Sequence, residues 1–393
     1  MAGKRRSSEE VAAEKKAKEA EKTKSMIDTI YGQLQEFVER EDEFFPSGSI
    51  IIDSVLSNGK GIPMGKFISL TAAEGVGKSS MCLHIARNCC AKGYRALYID
   101  TEFGLNRSQL ESFAMIPFVE NKTFIPKVLH TYRELDDLFA SVVKDPDLKF
   151  IFLDSLTDVT PDQILTNNIA DVSQPGLDAR AQSSFLRKYK PSIAEAGITV
   201  FFLLQQRTKI GMTYGERTCD QGAGGHAVKH SMDIALELTR KSFITKTVKG
   251  HNDPTPYAAE CYLKAIKNRY ANPFIPMQLQ ILFGKGVSNS GAIANALILH
   301  GLVKTPTKTK YVVDFKGEEV TLISKLKFEE FVKQNLDYYK QVVESKGGIR
   351  LIPESDVPSM EAESEEDESS IEEIETEDTF EEEEQDAFDQ EVE

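Results

Sequence analysis

The segment Thr71-Ala72-Ala73-Glu74-Gly75-Val76-Gly77-Lys78-Ser79-Ser80 constrains this chain more than any other. It joins an apolar run, Phe67–Thr71, to a stretch of helical periodicity, Ser79–Lys92. Gly75 and Gly77 let backbone N–H groups close around the oxygens of a tetrahedral anion. A helix that begins here aims its unpaired amides and the positive end of its dipole at the same anion. Lys78 supplies a mobile cation for the terminal phosphates, and the Ser79 hydroxyl is a hard ligand for Mg²⁺. Glu74, Gly75, Val76, Gly77, Lys78, Ser79 and Ser80 are therefore the candidate nucleotide-binding residues, with ATP and Mg²⁺ as the implied ligands. The usual pattern opens with glycine where this chain has Ala72. The competing explanation is a chance glycine-rich turn, which Gly-Lys-Ser at a strand–helix junction disfavours.

The surrounding pattern extends this unit into a fold. Ala96–Ile99, Phe150–Leu153 and Thr199–Leu204 are nearly continuous apolar runs, as expected of strands buried on both faces. Helical patterns lie between them at Tyr132–Val143 and about 177–196, the latter with a kink or break expected at Pro191. Alternating β and α elements imply an α/β layer fold with a mostly parallel central sheet. Two further runs end in carboxylates at the ligand-bearing edge of such a sheet. One ends at Asp154, where a carboxylate faces the metal ion; without the glycine loop, a helix-capping aspartate would be the better reading. The other ends Asp100-Thr101-Glu102. A carboxylate near the terminal phosphate can orient and polarise water, with Glu102 the candidate and Asp100 the runner-up. Beyond Met232 the pattern is strand-rich: Asp233–Leu238, Phe243–Val248, Glu260–Lys267 and Met277–Leu282, with a turn at Asn252-Asp253-Pro254. A short helix near Ile293–Leu302, a hairpin around Lys316-Gly317 and an amphipathic helix over Phe328–Val343 suggest a small α+β unit.

Charge divides the chain unevenly. Its net charge is −15, yet residues 354–393 contain 21 Asp and Glu and no Lys or Arg. The remaining 353 residues carry 47 basic against 41 acidic side chains, a net +6. So acidic and apolar-poor a tail is expected to stay disordered, as a regulator or merely a solubilising tail. Residues 1–24 are charged without apolar periodicity, whereas Met26, Ile27, Ile30, Tyr31, Leu34, Phe37 and Val38 recur at helical steps and form one apolar face. No spanning apolar run or export signal is visible. The five cysteines (Cys82, Cys89, Cys90, Cys219, Cys261) form no CxxC pair, so they are read as reduced thiols of a cytoplasmic protein.

The order of motifs resembles the RecA family of recombinases over about residues 26–345. Residues 46–80 are similar to the entrance of that family's ATPase core. Asp100-Thr101-Glu102-Phe103-Gly104-Leu105 is closest to the phage branch represented by UvsX. Pro175–Arg180, Gln205–Gly211, Gly224–Lys229, Lys267-Asn268-Arg269 and Gln280–Val287 follow in the family's order. The resemblance implies that Lys78, Ser79 and Asp154 hold MgATP and that Glu102 is catalytic. It further implies that Gln205 senses the terminal phosphate, with Gln206 leaving the register open by one. Lys267 and Arg269 are implied to reach the ATP of the adjacent subunit. Taken alone, those two cations are only an alternating solvated strand face.

Two segments are then expected to carry DNA. One lies between about Asp162 and Arg180, followed by Arg180 and Arg187 on the next helix; the other runs from Arg207 to Gly225. The second contains Arg207, Lys209 and Arg217, and Tyr214 as a stacking aromatic. Mobile backbone with Lys and Arg suits phosphate tracking without base readout. The expected protein is an ATP-dependent recombinase that forms helical filaments on single-stranded DNA, pairs it with double-stranded DNA and exchanges strands. Its partners are DNA and copies of itself, with single-stranded-DNA-binding and mediator proteins as accessories and no membrane; its setting is a host cytoplasm if phage-encoded. The expected division is 1–45 arm and oligomerisation helix, 46–287 RecA-like P-loop ATPase core, 288–350 small C-terminal α+β domain, and 351–393 acidic tail. The alternatives are a RecA-like hexameric helicase and an ATP-binding switch without DNA activity.

Overall fold

The computed structural model describes residues 22–27, 31, 41–162, 177–205, 228, 230–246, 254–307 and 309–346. Of the apolar face expected near Met26–Val38, residues 22–27 and 31 are helical, and Met26, Ile27 and Tyr31 are exposed. The rest of that segment, the interiors of both expected DNA segments and the acidic tail lie outside the described residues.

A short antiparallel pair, β1 (Phe44–Phe45) and β2 (Ile62–Pro63), leads into a nine-stranded sheet. That sheet contains β3 (Phe67–Ala72), β4 (Arg95–Asp100), β5 (Phe124–Val128), β6 (Leu148–Asp154), β7 (Thr199–Gln205), β8 (Ile234–Lys246), β9 (Thr255–Lys267), β10 (Met277–Leu282) and β11 (Gly286–Val287). Their spatial order is β11-β10-β9-β8-β3-β7-β6-β4-β5. Strands β8, β3, β7, β6, β4 and β5 run parallel; β9, β10 and β11 add an antiparallel extension. This is the RecA-like α/β fold expected.

Period-two alternation builds a separate core on each side of the sheet. Ile68, Leu70, Tyr98, Phe150, Phe152, Phe201 and Leu203 pack with the helix Lys78–Ala91 on one face. Phe67, Leu97, Ile99, Ile151, Leu153 and Phe202 pack on the other, against the helices Tyr132–Val142 and Leu177–Glu195. Burial on both faces explains why these strands are continuously apolar.

Four elements differ from expectation. The helix Leu177–Glu195 continues through Pro191, because buried Phe185, Leu186, Tyr189 and Ile193 hold it to the sheet on both sides of the lost hydrogen bond. The two strands expected at Asp233–Leu238 and Phe243–Val248 are one strand, β8, whose polar interruption is a register shift between Arg240 and Ser242 rather than a turn. Phe124–Val128 is a strand although Pro126 and Lys127 disguise it; proline is tolerated because β5 is an edge. The helix expected over Phe328–Val343 is two, Lys325–Gln334 and Leu336–Ser345, parted at Asn335, whose side chain donates to the Phe331 carbonyl at 3.0 Å.

After the helix Asn289–Leu299, a second sheet has the order β12 (Val303–Thr307), β13 (Lys310–Phe315), β14 (Glu318–Ile323). The β13–β14 turn places Lys316 at φ 56° and Gly317 at φ 91°, the left-handed pair that a two-residue hairpin needs. Val313, Phe328, Val332, Tyr339 and Val343 form a separate core beneath it.

Candidate nucleotide site

Strand β3 delivers the chain into the glycine loop, and the helix Lys78–Ala91 leaves from it. Gly75 has φ 69° and Gly77 φ 117°, conformations that a side chain disfavours. A Cβ on Gly77 would also lie 2.8 Å from Ile281 Cδ1, so the loop is seated against β10. Buried Val76 anchors the loop from below, while Glu74 and Gly75 are exposed at its crest. The loop therefore presents backbone and the helix N-terminus outward. Lys78 curls back, its Nζ donating to the Ala72 and Ala73 carbonyls at 3.0 Å each. Burial lowers the Lys78 pKa, opposed by the negative charges of Asp154, Glu102 and Glu74. A half-buried ammonium among carbonyls is suited to exchange them for phosphate oxygens.

The carboxylates converge because their strands are neighbours in register. Asp100 pairs with Asp154 across β4 and β6. Asp154 Oδ2 accepts from Ser79 Oγ at 2.8 Å and from Tyr98 Oη at 2.6 Å. Ser79 and Asp154 thus offer hard oxygen donors side by side, a set that suits Mg²⁺. Asp100, the runner-up catalytic group, instead builds the turn after β4. Its carboxylate accepts from the backbone N–H groups of Glu102, Gly104 and Leu105 at 3.2, 3.2 and 2.9 Å. Phe103, at φ 58°, completes that turn.

Thr101 fastens the two carboxylate-bearing strand ends together. Its Oγ1 donates to the Asp154 and Ser155 carbonyl region and accepts from Ser155 N–H at 2.7 Å. Glu102 then stands beside Asp154 and Asp158. Burial, followed by the charges of these two aspartates, raises its pKa above the ordinary 4.5. The Gln205 side-chain amide, at the end of β7, donates to both Glu102 oxygens at 3.1 and 3.2 Å. Gln206 lies outside the described residues.

Lys267 and Arg269 are elsewhere. Lys267 closes β9, which runs antiparallel to β8, and pairs with Ala235 near the start of β8. Lys267 Nζ donates to the Met232 and His230 carbonyls at 2.5 and 3.3 Å. Arg269 lies 3.9 Å from Asp233, whose other carboxylate oxygen accepts from Phe67 N–H at the start of β3. These cations and the glycine loop therefore occupy opposite ends of β3, roughly 20 Å apart at about 3.3 Å per residue. Lys190 joins them, donating to Asp233 at 2.9 Å. Burial lowers the Lys267 pKa, with Arg269 and Lys190 adding to the effect.

Arg180 and Arg187 are exposed one heptad apart on the helix Leu177–Glu195, and Arg187 donates to Ser183 Oγ at 3.0 Å. Arg207, Lys209, Tyr214 and Arg217 lie outside the described residues. Tyr98, Thr101, Asp158 and Lys190 carry no signal in the sequence: the first two sit inside an apolar strand and its turn, Asp158 in the short turn after β6, and Lys190 in ordinary helical text. Cys82, Cys89, Cys90 and Cys261 are buried thiols that form no disulfide, and Cys219 is outside the described residues. Among the described residues no helix is long and apolar enough to cross a membrane, and no cluster of three or more His, Cys, Asp or Glu is arranged for a metal ion.

The family described as the RecA N-terminal domain matches residues 17–288. Protein RecA of Bifidobacterium longum is 27% identical over 336 residues, covering 82% of this chain and 80% of that protein. Protein RecA of Mycolicibacterium smegmatis is also 27% identical over 336 residues, covering 84% and 91% respectively. Among solved structures, the RadB recombinase crystal structure aligns with a TM-score of 0.45 at 18% identity, covering 61% of this chain and 97% of that one.

Proposed function

The chain belongs to the RecA family, and from that premise we propose that it is an ATP-dependent homologous-recombination protein. Protomers polymerise on single-stranded DNA as a helical filament, align it with duplex DNA and exchange strands. The reading rests chiefly on the position of Lys267 and Arg269 at the end of the sheet opposite Lys78. Cations so placed cannot serve their own glycine loop, but can serve that of a copy stacked against the starts of β3 and β8. A head-to-tail contact of this kind generates a filament when it does not close.

In this reading the glycine loop and Lys78 hold the phosphates, and Ser79 with Asp154 holds Mg²⁺, which when bound neutralises phosphate charge. Glu102 takes the proton of the attacking water, its raised pKa suiting a base poised closer to neutrality. Gln205 reads whether Glu102 is engaged with water and phosphate, and transmits this to the residues after β7. The neighbour's Lys267- and Arg269-type cations stabilise charge developing on the transferred phosphoryl group. Arg180 and Arg187, with Arg207, Lys209, Tyr214 and Arg217, track DNA. The four-part division at residues 45, 287 and 350, the docking of the apolar face of segment 26–38 on a neighbour, and the phage-branch affinity carried by Asp100–Leu105 belong to the same proposal.

Negative-stain electron microscopy with single-stranded DNA and a non-hydrolysable ATP analogue tests it. Nucleotide-dependent helical filaments are expected. Closed rings would assign a helicase instead, and bound DNA with neither assembly would leave an ATPase without recombinase architecture.

A further inference from the structure

Tyr98 has no part in the mechanism above, yet it touches its centre. It lies mid-strand in β4, on the sheet face that packs the helix Lys78–Ala91, and is only 2% exposed. Its ring stacks on Phe152 (centroids 6.2 Å, 28°) and tilts against Phe124 at 6.2 Å. Tyr98 is in register with Phe152, so Asp154 stands two residues further toward the strand end on the same face. Two residues advance about 6.6 Å, close to the reach of a phenol leaning along its strand. Phenylalanine would serve the packing equally. What the hydroxyl adds is its 2.6 Å bond to Asp154 Oδ2, the oxygen that also accepts from Ser79.

We propose that Tyr98 is a positioning residue for the divalent cation of the nucleotide site. Its hydroxyl holds the Asp154 carboxylate from beneath in one rotamer, so the cation meets ligands that are already oriented. The inference rests on the nucleotide-site reading. Partners that orient metal ligands from behind commonly change metal affinity by about 10- to 100-fold when removed.

The test uses the full chain and Tyr98→Phe, which keeps the ring. Free Mn²⁺ is followed by electron paramagnetic resonance during titration of protein with a non-hydrolysable ATP analogue, and the Mg²⁺ dependence of hydrolysis is measured separately. In Tyr98→Phe, Mn²⁺ binding is expected to weaken about tenfold or more, and the Mg²⁺ concentration for half-maximal turnover to rise in step, while kcat at saturating Mg²⁺ changes far less. In an Asp154→Asn background the same change is expected to have no further effect on metal binding. Unchanged Mn²⁺ affinity, with or without a lower melting temperature, would assign Tyr98 to packing and overturn the proposal. If the wild-type chain bound neither nucleotide nor Mn²⁺ with nucleotide, the underlying site reading would fall and this inference with it.

Discussion

The side-chain amide of Gln205 bonds to both carboxylate oxygens of Glu102, across the end of the strand that carries Asp154. Strands β7 and β4 flank β6, so the contact spans two strand spacings, roughly 9.6 Å. It ties the candidate water-activating group to the point where the chain leaves β7 for residues 206–227. Gln205→Ala should therefore uncouple nucleotide from DNA. Typical coupling between linked sites is about 5- to 150-fold, and the gain in single-stranded-DNA affinity produced by a non-hydrolysable ATP analogue should fall by about tenfold or more. Fluorescence anisotropy with a labelled oligonucleotide measures it; an undiminished gain would remove Gln205 from the coupling.

Glu102→Gln keeps the size and a hydrogen-bonding end but loses the base. Hydrolysis should drop by about 10²- to 10⁴-fold, the usual worth of a positioned general base. Binding of a fluorescent ATP analogue should persist. Turnover near the wild-type rate would move the role to another group.

The pH dependence follows from the same carboxylate. Burial and then the charges of Asp154 and Asp158 favour protonated Glu102, and the active form of a base is the ionised one. Activity should therefore fail on acidification at a higher pH than the ordinary value of 4.5 implies. Asp158→Asn removes one repelling charge, so the acid limb of the kcat profile should shift to lower pH. A limb that stays in place would exclude Asp158 as a tuning group.

The join between the large sheet and the helix Lys325–Gln334 contains a second testable contact. Gln280 Nε2 donates to Glu329 Oε1 at 2.7 Å, while Gln280 Oε1 is buried without a partner. Burial raises the Glu329 pKa above 4.5. The folded chain thus holds this proton more tightly than the unfolded one, and stability falls as pH rises through the raised value. Glu329→Gln offers an amide able to accept from Nε2 and donate to the orphan Oε1. It should gain about 1 kcal/mol at neutral pH and flatten that slope, as read by denaturant unfolding at pH 5 and 7.5. A less stable variant at neutral pH would contradict this.

Complementation tests the placement of the cations. Lys78→Ala and Arg269→Ala chains should each be nearly inactive. Mixed in equal amounts, they should recover roughly a quarter of wild-type ATPase, the fraction of random head-to-tail contacts that join an intact loop to an intact arginine. No recovery in co-assembled filaments would mean that Arg269 does not act between subunits.

Much of the site can be read directly because its parts are contiguous in the chain. A phosphate loop needs a strand, two glycines, a lysine, a hydroxyl and a helix start in one short run, and local backbone preference suffices to build them between Thr71 and Ser80. The buried parallel strands are equally legible, since burial on both faces demands unbroken apolar text. Asp154, Glu102 and Gln205 are visible only as polar residues ending such runs. That Gln205 reaches Glu102, rather than Asp100 or a loop atom, depends on the order β7-β6-β4, which pairings distant in the chain establish. Asp100 reads as an alternative to Glu102 in the sequence, and only the folded turn shows its carboxylate engaged by the N–H groups of Glu102, Gly104 and Leu105. Tyr98 reads as one more core aromatic, and only the register of β4 with β6 brings its hydroxyl to Asp154. The antiparallel return of β9 likewise carries Lys267 and Arg269 away from the loop their own chain contains. Local chemistry is written in neighbouring residues, whereas the meeting of strand ends depends on packing energies summed over the whole sheet.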